Sequence, residues 1–296
     1  MKNIQLRNAI NLKNYTTIKV GGIAEYFSEP KNLSELFDLI NWAKSKSYNF
    51  RIIGAGSNLL IKDIYLKGLT ICTKRMKTIK INPRTGFVFA ECGVMLPTLA
   101  NLLAKNSCMG GEWAVGIPGT IGGALFMNAG CGESSISDKL SSVQVIDTQS
   151  QEIYDIKKED LFFKYRFSSF QTNNLLVLSA KFYFEPEGDL KWIIKKTQTN
   201  LKNRLASQPY HLPSFGSVFK NPNKNYAGKL IEEVGLKGLK CGGAEISQMH
   251  ANFIVNSSSA TSDDILNLIN IVQQKVIQKK GILLHPEVRM IGFEYP

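Results

Sequence analysis

Gly111-Gly-Glu-Trp-Ala-Val-Gly-Ile-Pro-Gly-Thr-Ile-Gly-Gly-Ala-Leu-Phe-Met-Asn-Ala-Gly130 places glycines among apolar residues too densely for an ordinary helix or strand. Backbone is being presented here. Gly116, Gly119, Gly122 and Gly123 permit positive φ and close approach by another group, while Pro118, beside Ile117, fixes one turn and removes one donor. A buried turn joining two core layers would account for one such glycine. Their density, with Thr120 and Asn128 as small hydrogen-bonding side chains, favours a flat, polar, partly anionic ligand.

A second cluster lies upstream. Arg51-Ile-Ile-Gly-Ala-Gly-Ser-Asn-Leu-Leu60 runs from an expected strand into a tight turn, where Gly54, Ala55, Gly56, Ser57 and Asn58 offer consecutive N–H groups. Such nests bind phosphate oxygens. The dinucleotide fingerprint requires glycine where Leu59 stands, and the P-loop requires Gly-Lys-Ser/Thr where Ser57-Asn58-Leu59 stand. Phosphate is expected, held by neither of those folds.

At 296 residues, 44% hydrophobic and 20% charged, the chain can bury a sizeable core in two or three lobes. No apolar run is long enough to span a bilayer and the first residues lack a signal-type core, so a cytoplasmic protein without membrane insertion is expected. The cysteines (Cys72, Cys92, Cys108, Cys131, Cys241) and histidines (His211, His250, His285) have no metal-ligand spacing, so no metal is expected. The net charge of +12 suits either nucleic acid or phosphorylated small molecules. Lys191, Lys195, Lys196, Lys202 and Arg204 share one expected helix, but other lysines are dispersed and no nucleic-acid module is recognisable. The second class is favoured.

The elements alternate without a low-complexity linker or repeat. Ser34 is expected to cap a helix burying Leu36, Phe37, Ile40 and Ala43, followed by a strand from Phe50 to Ile53. Short strands are expected at Leu69–Thr73, Phe87–Glu91, Val143–Asp147 and Leu175–Phe184, with a helix opening at Pro97. A basic helix from Leu190 to Ala206 ends before Pro209. Beyond it come a helix over Lys229–Val234 stopped by Gly235, a strand at Phe253–Val255 and a helix capped by Thr261 and ended by Gly281. Glu287–Gly292 closes the chain as a strand.

Three polar residues occupy unusual settings. Arg166 lies between Phe162, Phe163, Tyr165, Phe167 and Phe170, where a guanidinium requires an anionic partner, either an interior carboxylate or a ligand. Ser217 stands between Gly216 and Val218-Phe-Lys-Asn-Pro222; without a Gly-x-Ser-x-Gly elbow it is no hydrolase nucleophile, and a turn serine is the simpler reading. Glu287 follows Pro286 at the head of an apolar strand. It is either a surface carboxylate or one placed to hold a proton.

The order of these segments resembles, over nearly the whole length, the UDP-N-acetylenolpyruvoylglucosamine reductase family. The matching motifs are Thr17-Ile-Lys-Val-Gly-Gly-Ile-Ala24, Ile53-Gly-Ala-Gly-Ser-Asn-Leu-Leu60, Gly116-Ile-Pro-Gly-Thr-Ile-Gly-Gly-Ala124, Tyr165-Arg-Phe-Ser168, Gly216-Ser-Val-Phe-Lys-Asn-Pro222, Ala227-Gly-Lys-Leu-Ile-Glu-Glu-Val-Gly235, His250-Ala-Asn-Phe-Ile-Val-Asn256 and Pro286-Glu-Val-Arg289. Each alone is weak; together and in order they are specific. The resemblance implies an α+β fold: a two-lobed FAD-binding domain of the vanillyl-alcohol-oxidase (PCMH) type over residues 1–206, with lobes at about 1–68 and 69–206, and an α+β substrate-binding domain over 207–296. Gly54, Ala55, Gly56, Ser57 and Asn58 would then hold the FAD pyrophosphate. Gly116, Ile117, Pro118, Gly119, Thr120, Gly122 and Gly123 would line the flavin.

The resemblance further implies that NADPH and the enolpyruvyl sugar nucleotide use overlapping sites in turn, with hydride reaching C3 of the enol ether. Arg166 and a protonated Glu287 match the family's enolate-stabilising pair, and Ser217 its proton donor to C2. Lys220, Asn221 and Arg289 match substrate contacts. The short spacing from Arg166 to Ser217 resembles the class lacking a tyrosine-bearing loop that clamps uridine diphosphate, and His285 stands where a carboxylate is common. FAD is expected to be noncovalent, with Cys131 the residue to check, and the protein a monomer acting on small molecules without nucleic acid. A flavin-dependent alcohol or sugar oxidase and a basic nucleic-acid-binding protein are the competing readings. Neither accounts for Tyr165–Ser168, Gly216–Pro222 and Pro286–Arg289 together.

Overall fold

In the computed structural model, which describes residues 5–293, the short strands build one antiparallel sheet in the order Ile153–Lys157, Leu140–Asp147, Leu175–Tyr183, Phe87–Glu91, Ile79–Asn82. Phe87–Glu91 alternates, with Val88 and Ala90 buried between half-exposed neighbours, as the period-two pleat requires. The strands extend beyond the expected limits at both Leu140 and Tyr65. Phe50–Ile53 pairs in parallel with Leu69–Cys72, with Ile53 buried and the other three residues half-buried.

Helix α1 (Leu33–Ser45) buries Leu36, Leu39, Ile40 and Ala43, but its cap is Asn32 rather than Ser34, the Asn32 side chain accepting from Glu35 N. Asparagine and serine cap equally well, so sequence preference alone does not separate the two positions. Helix α2 (Leu96–Lys105) starts one residue before the expected Pro97. Helix α3 (Ile121–Met127) rises directly from the glycine-rich segment, capped by Thr120 and closed by Asn128 in the left-handed conformation. Helix α4 (Leu190–Ser207) matches the expected basic helix and buries only Ile193 and Thr197.

The chain forms two compact units, residues 5–6, 27–55 and 69–204 in one, and 7–26, 56–68 and 205–293 in the other. The boundary after 204 lies two residues from that expected after 206. The early segments 7–26 and 56–68 group with the C-terminal residues, whereas the expectation placed them in the first domain. The reason is packing and pairing: Ile18, Val20 and Leu60 belong to one core with Phe215, Phe219, Ile231, Ile254, Leu268 and Val288. Leu59–Ile61 also pairs in parallel with the last strand, Arg289–Ile291.

That second unit carries an antiparallel sheet ordered Ser214–Ser217, Phe253–Asn256, Ala244–Ile246, Lys240–Cys241, with helices α5 (Ala227–Glu233) and α6 (Ser262–Lys280). The expected strand from Glu287 shortens to Arg289–Ile291, because Glu287 N is already engaged with Val218 O at 2.7 Å. Helix α6 follows its sequence signals. Thr261 and Asp264 form a capping box, and Gly281 ends it at φ 68°. Ile265, Leu268, Ile269, Val272 and Val276 are all buried, each contributing roughly 1.5–3 kcal/mol by area.

These terms differ in size, and the difference is measurable. Leu268→Ala is expected to destabilise by about 3 kcal/mol, through lost transfer energy plus a cavity. Thr261→Ala should cost only about 1 kcal/mol, the worth of a cap. Urea unfolding followed by far-UV circular dichroism checks the order; equal shifts would mean that the helix is held by its ends rather than its buried face.

Candidate active site

In the unit containing residues 27–55 and 69–204, the two glycine clusters meet. A Cβ added to Gly54 would stand 2.4 Å from Thr120 Oγ1, and one on Gly122 would stand 3.0 Å from Cys92 Cβ. The segment 119–122 runs beside 92–96, with Leu96 N donating to Gly119 O, Ile121 N to Val94 O and Gly122 N to Cys92 O. Burial pushes the Cys92 thiol up to about 12, so the wall behind the glycines is neutral. From Trp113 to Gly132 the chain carries no charged residue at all. Cys131, beyond Gly130, is an exposed free thiol.

Arg166 belongs to the same unit. It sits in a left-handed turn, φ 53°, between two short antiparallel strands, Phe163–Lys164 and Phe167–Ser168. Its guanidinium lies 5.0 Å from the Tyr165 ring centroid, and Nη2 donates to Gly130 O at 3.1 Å. The turn is tied to the end of α3 by three further donors. Ser168 Oγ bonds Phe126 O at 2.7 Å, Gln171 Nε2 bonds Phe126 O at 2.8 Å, and Asn128 Nδ2 bonds Lys164 O at 3.0 Å. The arginine and the glycine-rich segment are thereby parts of one construction.

The other unit brings together Asn58, Ser217, Lys220, Glu287 and Arg289. Ser217 ends the strand Ser214–Ser217 opposite Phe253, after an irregularity at Gly216, whose φ is 80°. The backbone then zips onto 285–287: Glu287 N donates to Val218 O, Phe219 bridges Pro286, and Lys220 N donates to His285 O at 2.9 Å. On the far side Asn58 Nδ2 donates to Glu287 O at 3.1 Å and Arg289 N to Asn58 O at 2.9 Å. Asn221 lies next to Lys220 in the same segment. Its Oδ1 accepts from Ala227 N at 3.0 Å and so caps the start of α5.

Sequence reasoning passed over the residue that organises this group. Asn252, buried, accepts from Phe219 N at 3.0 Å and donates to Phe219 O at 2.9 Å, pairing with a backbone unit as a neighbouring strand would. Val218 N donates to Asn252 O, and Asn252 N donates to His250 Nδ1 at 3.2 Å. Its signal was its place inside the motif His250–Asn256, where the amide drew no separate role.

The residues fit an FAD on observations of this structure. Gly56, φ 67°, has no room for a side chain, since a Cβ would stand 2.0 Å from Tyr15 O. Thr17 N donates to Gly56 O, and Thr17 Oγ1 is buried without a hydrogen-bond partner among the described residues. Asn128 Oδ1 is likewise buried and unpartnered among them. A side-chain-free loop with an orphaned hydroxyl suits phosphate oxygens, and a neutral glycine wall suits a flat ring. Gly54 and Ala55 belong to one unit and Gly56, Ser57 and Asn58 to the other.

Comparison with known proteins gives a consistent result. The C-terminal domain profile of UDP-N-acetylenolpyruvoylglucosamine reductase matches residues 208–291, and an FAD binding domain profile matches residues 24–156. A UDP-N-acetylenolpyruvoylglucosamine reductase of Prochlorococcus marinus subsp. pastoris is 63% identical over 296 residues, covering 100% of both chains. One from Synechococcus sp. is 47% identical over 98% of this chain and 94% of that protein. The crystal structure of the Thermus caldophilus UDP-N-acetylenolpyruvylglucosamine reductase superposes with a TM-score of 0.81 at 30% identity, covering 98% of this chain and 99% of that one.

The Asn252 network has a pH signature. Burial is the largest cause lowering the His250 pKa, with Lys237 acting the same way and Glu232 against it. The folded protein therefore prefers neutral His250, so its contribution to stability is complete above the unfolded value of about 6.5 and is lost as pH falls from there through the depressed folded value. Between about pH 7.5 and about pH 5.5 the urea midpoint should drop, and drop less in His250→Asn, which keeps an acceptor but cannot titrate. Identical pH slopes in the two proteins would remove His250 from the linkage.

Proposed function

The chain belongs to the UDP-N-acetylenolpyruvoylglucosamine reductase family, and from that premise we propose how its residues divide the work, with NADPH as electron donor. It is an FAD-dependent oxidoreductase, a UDP-N-acetylmuramate dehydrogenase, reducing the enolpyruvyl group of UDP-N-acetylglucosamine enolpyruvate in peptidoglycan synthesis. Bound FAD supplies two-electron carriage between the two substrates. Gly54, Ala55, Gly56, Ser57 and Asn58, with Thr17, hold its pyrophosphate, and Gly116 to Gly123 line its ring.

Reduction at C3 of the enol ether puts negative charge on C2 and its carboxylate. Arg166 and protonated Glu287 stabilise that charge, and Ser217 delivers the proton to C2. Lys220 and Arg289 bind the anionic sugar nucleotide. Asn221, whose Oδ1 also accepts from Ala227 N, contacts it as well. The observation that carries this reading is the hydrogen bond from Glu287 N to Val218 O at 2.7 Å, which sets the Ser217 and Glu287 segments side by side in one family-matched frame.

The same reading makes the protein a cytoplasmic monomer acting on free small molecules. Among the described residues no helix is long and apolar enough to cross a membrane.

An anaerobic visible spectrum separates the steps. Flavin absorbance should bleach with NADPH and return only on addition of the enolpyruvyl substrate. Ser217→Ala should keep the first change and slow the second by at least about a hundredfold, the usual worth of a positioned acid. If the variant is reoxidised at the unaltered rate, Ser217 is not the donor; if NADPH bleaches nothing, the donor is wrong.

A further inference from the structure

Arg166 stands in the left-handed backbone region, φ 53°, as the second residue of the two-residue turn between Phe163–Lys164 and Phe167–Ser168. One surrounding group stands out. Gln171, half-buried, uses a single amide nitrogen for two carbonyls, Phe126 O at 2.8 Å and Arg166 O at 3.3 Å. The nitrogen carries two hydrogens, so both bonds form at once. The first carbonyl belongs to α3, which the glycine-rich segment feeds directly; the second belongs to the arginine itself.

Other ties named above act beside the Arg166 peptide. Ser168 Oγ holds Phe126 O and Asn128 Nδ2 holds Lys164 O, two residues to either side. The bond from Nη2 to Gly130 O fixes the far end of the arginine side chain. Gln171 alone among these named groups grips the Arg166 peptide and the flavin-side helix together. We propose that Gln171 is a positioning residue: it sets the left-handed turn of Arg166 against the end of α3, and so places the guanidinium for the substrate half-reaction. This rests on the proposed reading of Arg166 as the group facing the developing enolate.

Misplacement by a fraction of an ångström is costly only in the step where charge develops beside the guanidinium. NADPH-driven flavin reduction does not use that charge. Loss of the bond to Arg166 O therefore acts on one half-reaction and only in molecules that still possess Arg166, whereas loss acting through Phe126 O and α3 would persist without Arg166 and would reach flavin reduction too.

The test uses the FAD-loaded full chain and anaerobic stopped flow on each half-reaction, with wild type, Gln171→Met, Arg166→Ala and the double variant. Gln171→Met should slow reoxidation at saturating enolpyruvyl substrate about tenfold and leave NADPH reduction within about twofold. In the Arg166→Ala background the same change should cost no more than about twofold, because Gln171 acts through Arg166. Gln171→Glu supplies a second readout. Its protonated carboxyl retains one donor and its carboxylate none, so its deficit against wild type should shrink as pH is lowered from about 7 to about 4.5, toward the ordinary glutamate value.

Equal losses in both half-reactions, full additivity with Arg166→Ala, or a deficit in Gln171→Glu that ignores pH would each overturn the proposal. Wild type that is reoxidised normally while Gln171→Met is unimpaired overturns it alone. A wild type that the enolpyruvyl substrate does not reoxidise overturns the functional reading as well.

Discussion

Close approach without side chains is the constraint on which the rest of this structure depends. At Gly54 the space for a methyl group is already filled by Thr120 Oγ1, and at Gly56 by the carbonyl of Tyr15. Any larger residue would push the first glycine cluster away from the second, or away from the segment carrying Thr17. The consequence is chemical as well as steric. A wall of backbone and small apolar groups, from Trp113 to Gly132, carries no formal charge of its own. Charged residues lie outside that segment, and the backbone around them is held in place by other means.

Those means are neutral amide side chains. Asn252 pairs with both backbone groups of Phe219, Gln171 joins Arg166 O to Phe126 O, Asn128 reaches Lys164 O and Asn58 reaches Glu287 O. Asn256 does the same structural work farther out, donating to Ile18 O and accepting from Ala260 N. An amide offers donor and acceptor at fixed spacing and matches a peptide unit. It can be buried at far smaller desolvation cost than a carboxylate or ammonium. Using charged residues as staples would also have shifted the potential at Arg166 and Glu287. Neutral staples hold charged groups without competing with them.

Much of this was legible in the sequence, and the exceptions share a cause. Helix α6 was readable because its apolar spacing, Thr261 cap and Gly281 stop all point the same way. The strand Phe50–Ile53 matched to the residue. Motif order led to the family, and the glycine clusters to segments packed too closely for side chains. What escaped was nonlocal: nothing in the residues near Thr17 or Leu60 announces that they share a core with Phe215 and Val288. The parallel pairing of Leu59–Ile61 with Arg289–Ile291 likewise joins the chain across its whole length. Asn252 and Gln171 were overlooked for the same reason. An amide reads as a polar surface residue until the carbonyl it serves is located; Phe219 O lies 33 positions from Asn252 and Phe126 O 45 from Gln171, although Arg166 O lies only 5 from it.

Arg166 shows why the nonlocal part decides function. Its sequence setting, one guanidinium among aromatic rings, left an interior ion pair and an anionic ligand equally open. The structure adds a left-handed backbone, a ring beneath the guanidinium at 5.0 Å and a carbonyl at each end of the turn held from outside. A residue kept merely to neutralise a buried carboxylate gains nothing from a disfavoured backbone conformation. One that must present its cation in a single direction does, because relaxation to the ordinary helical or extended region would swing the side chain away. The concentration of hydrogen bonds around one disfavoured residue is therefore better explained by aim than by packing.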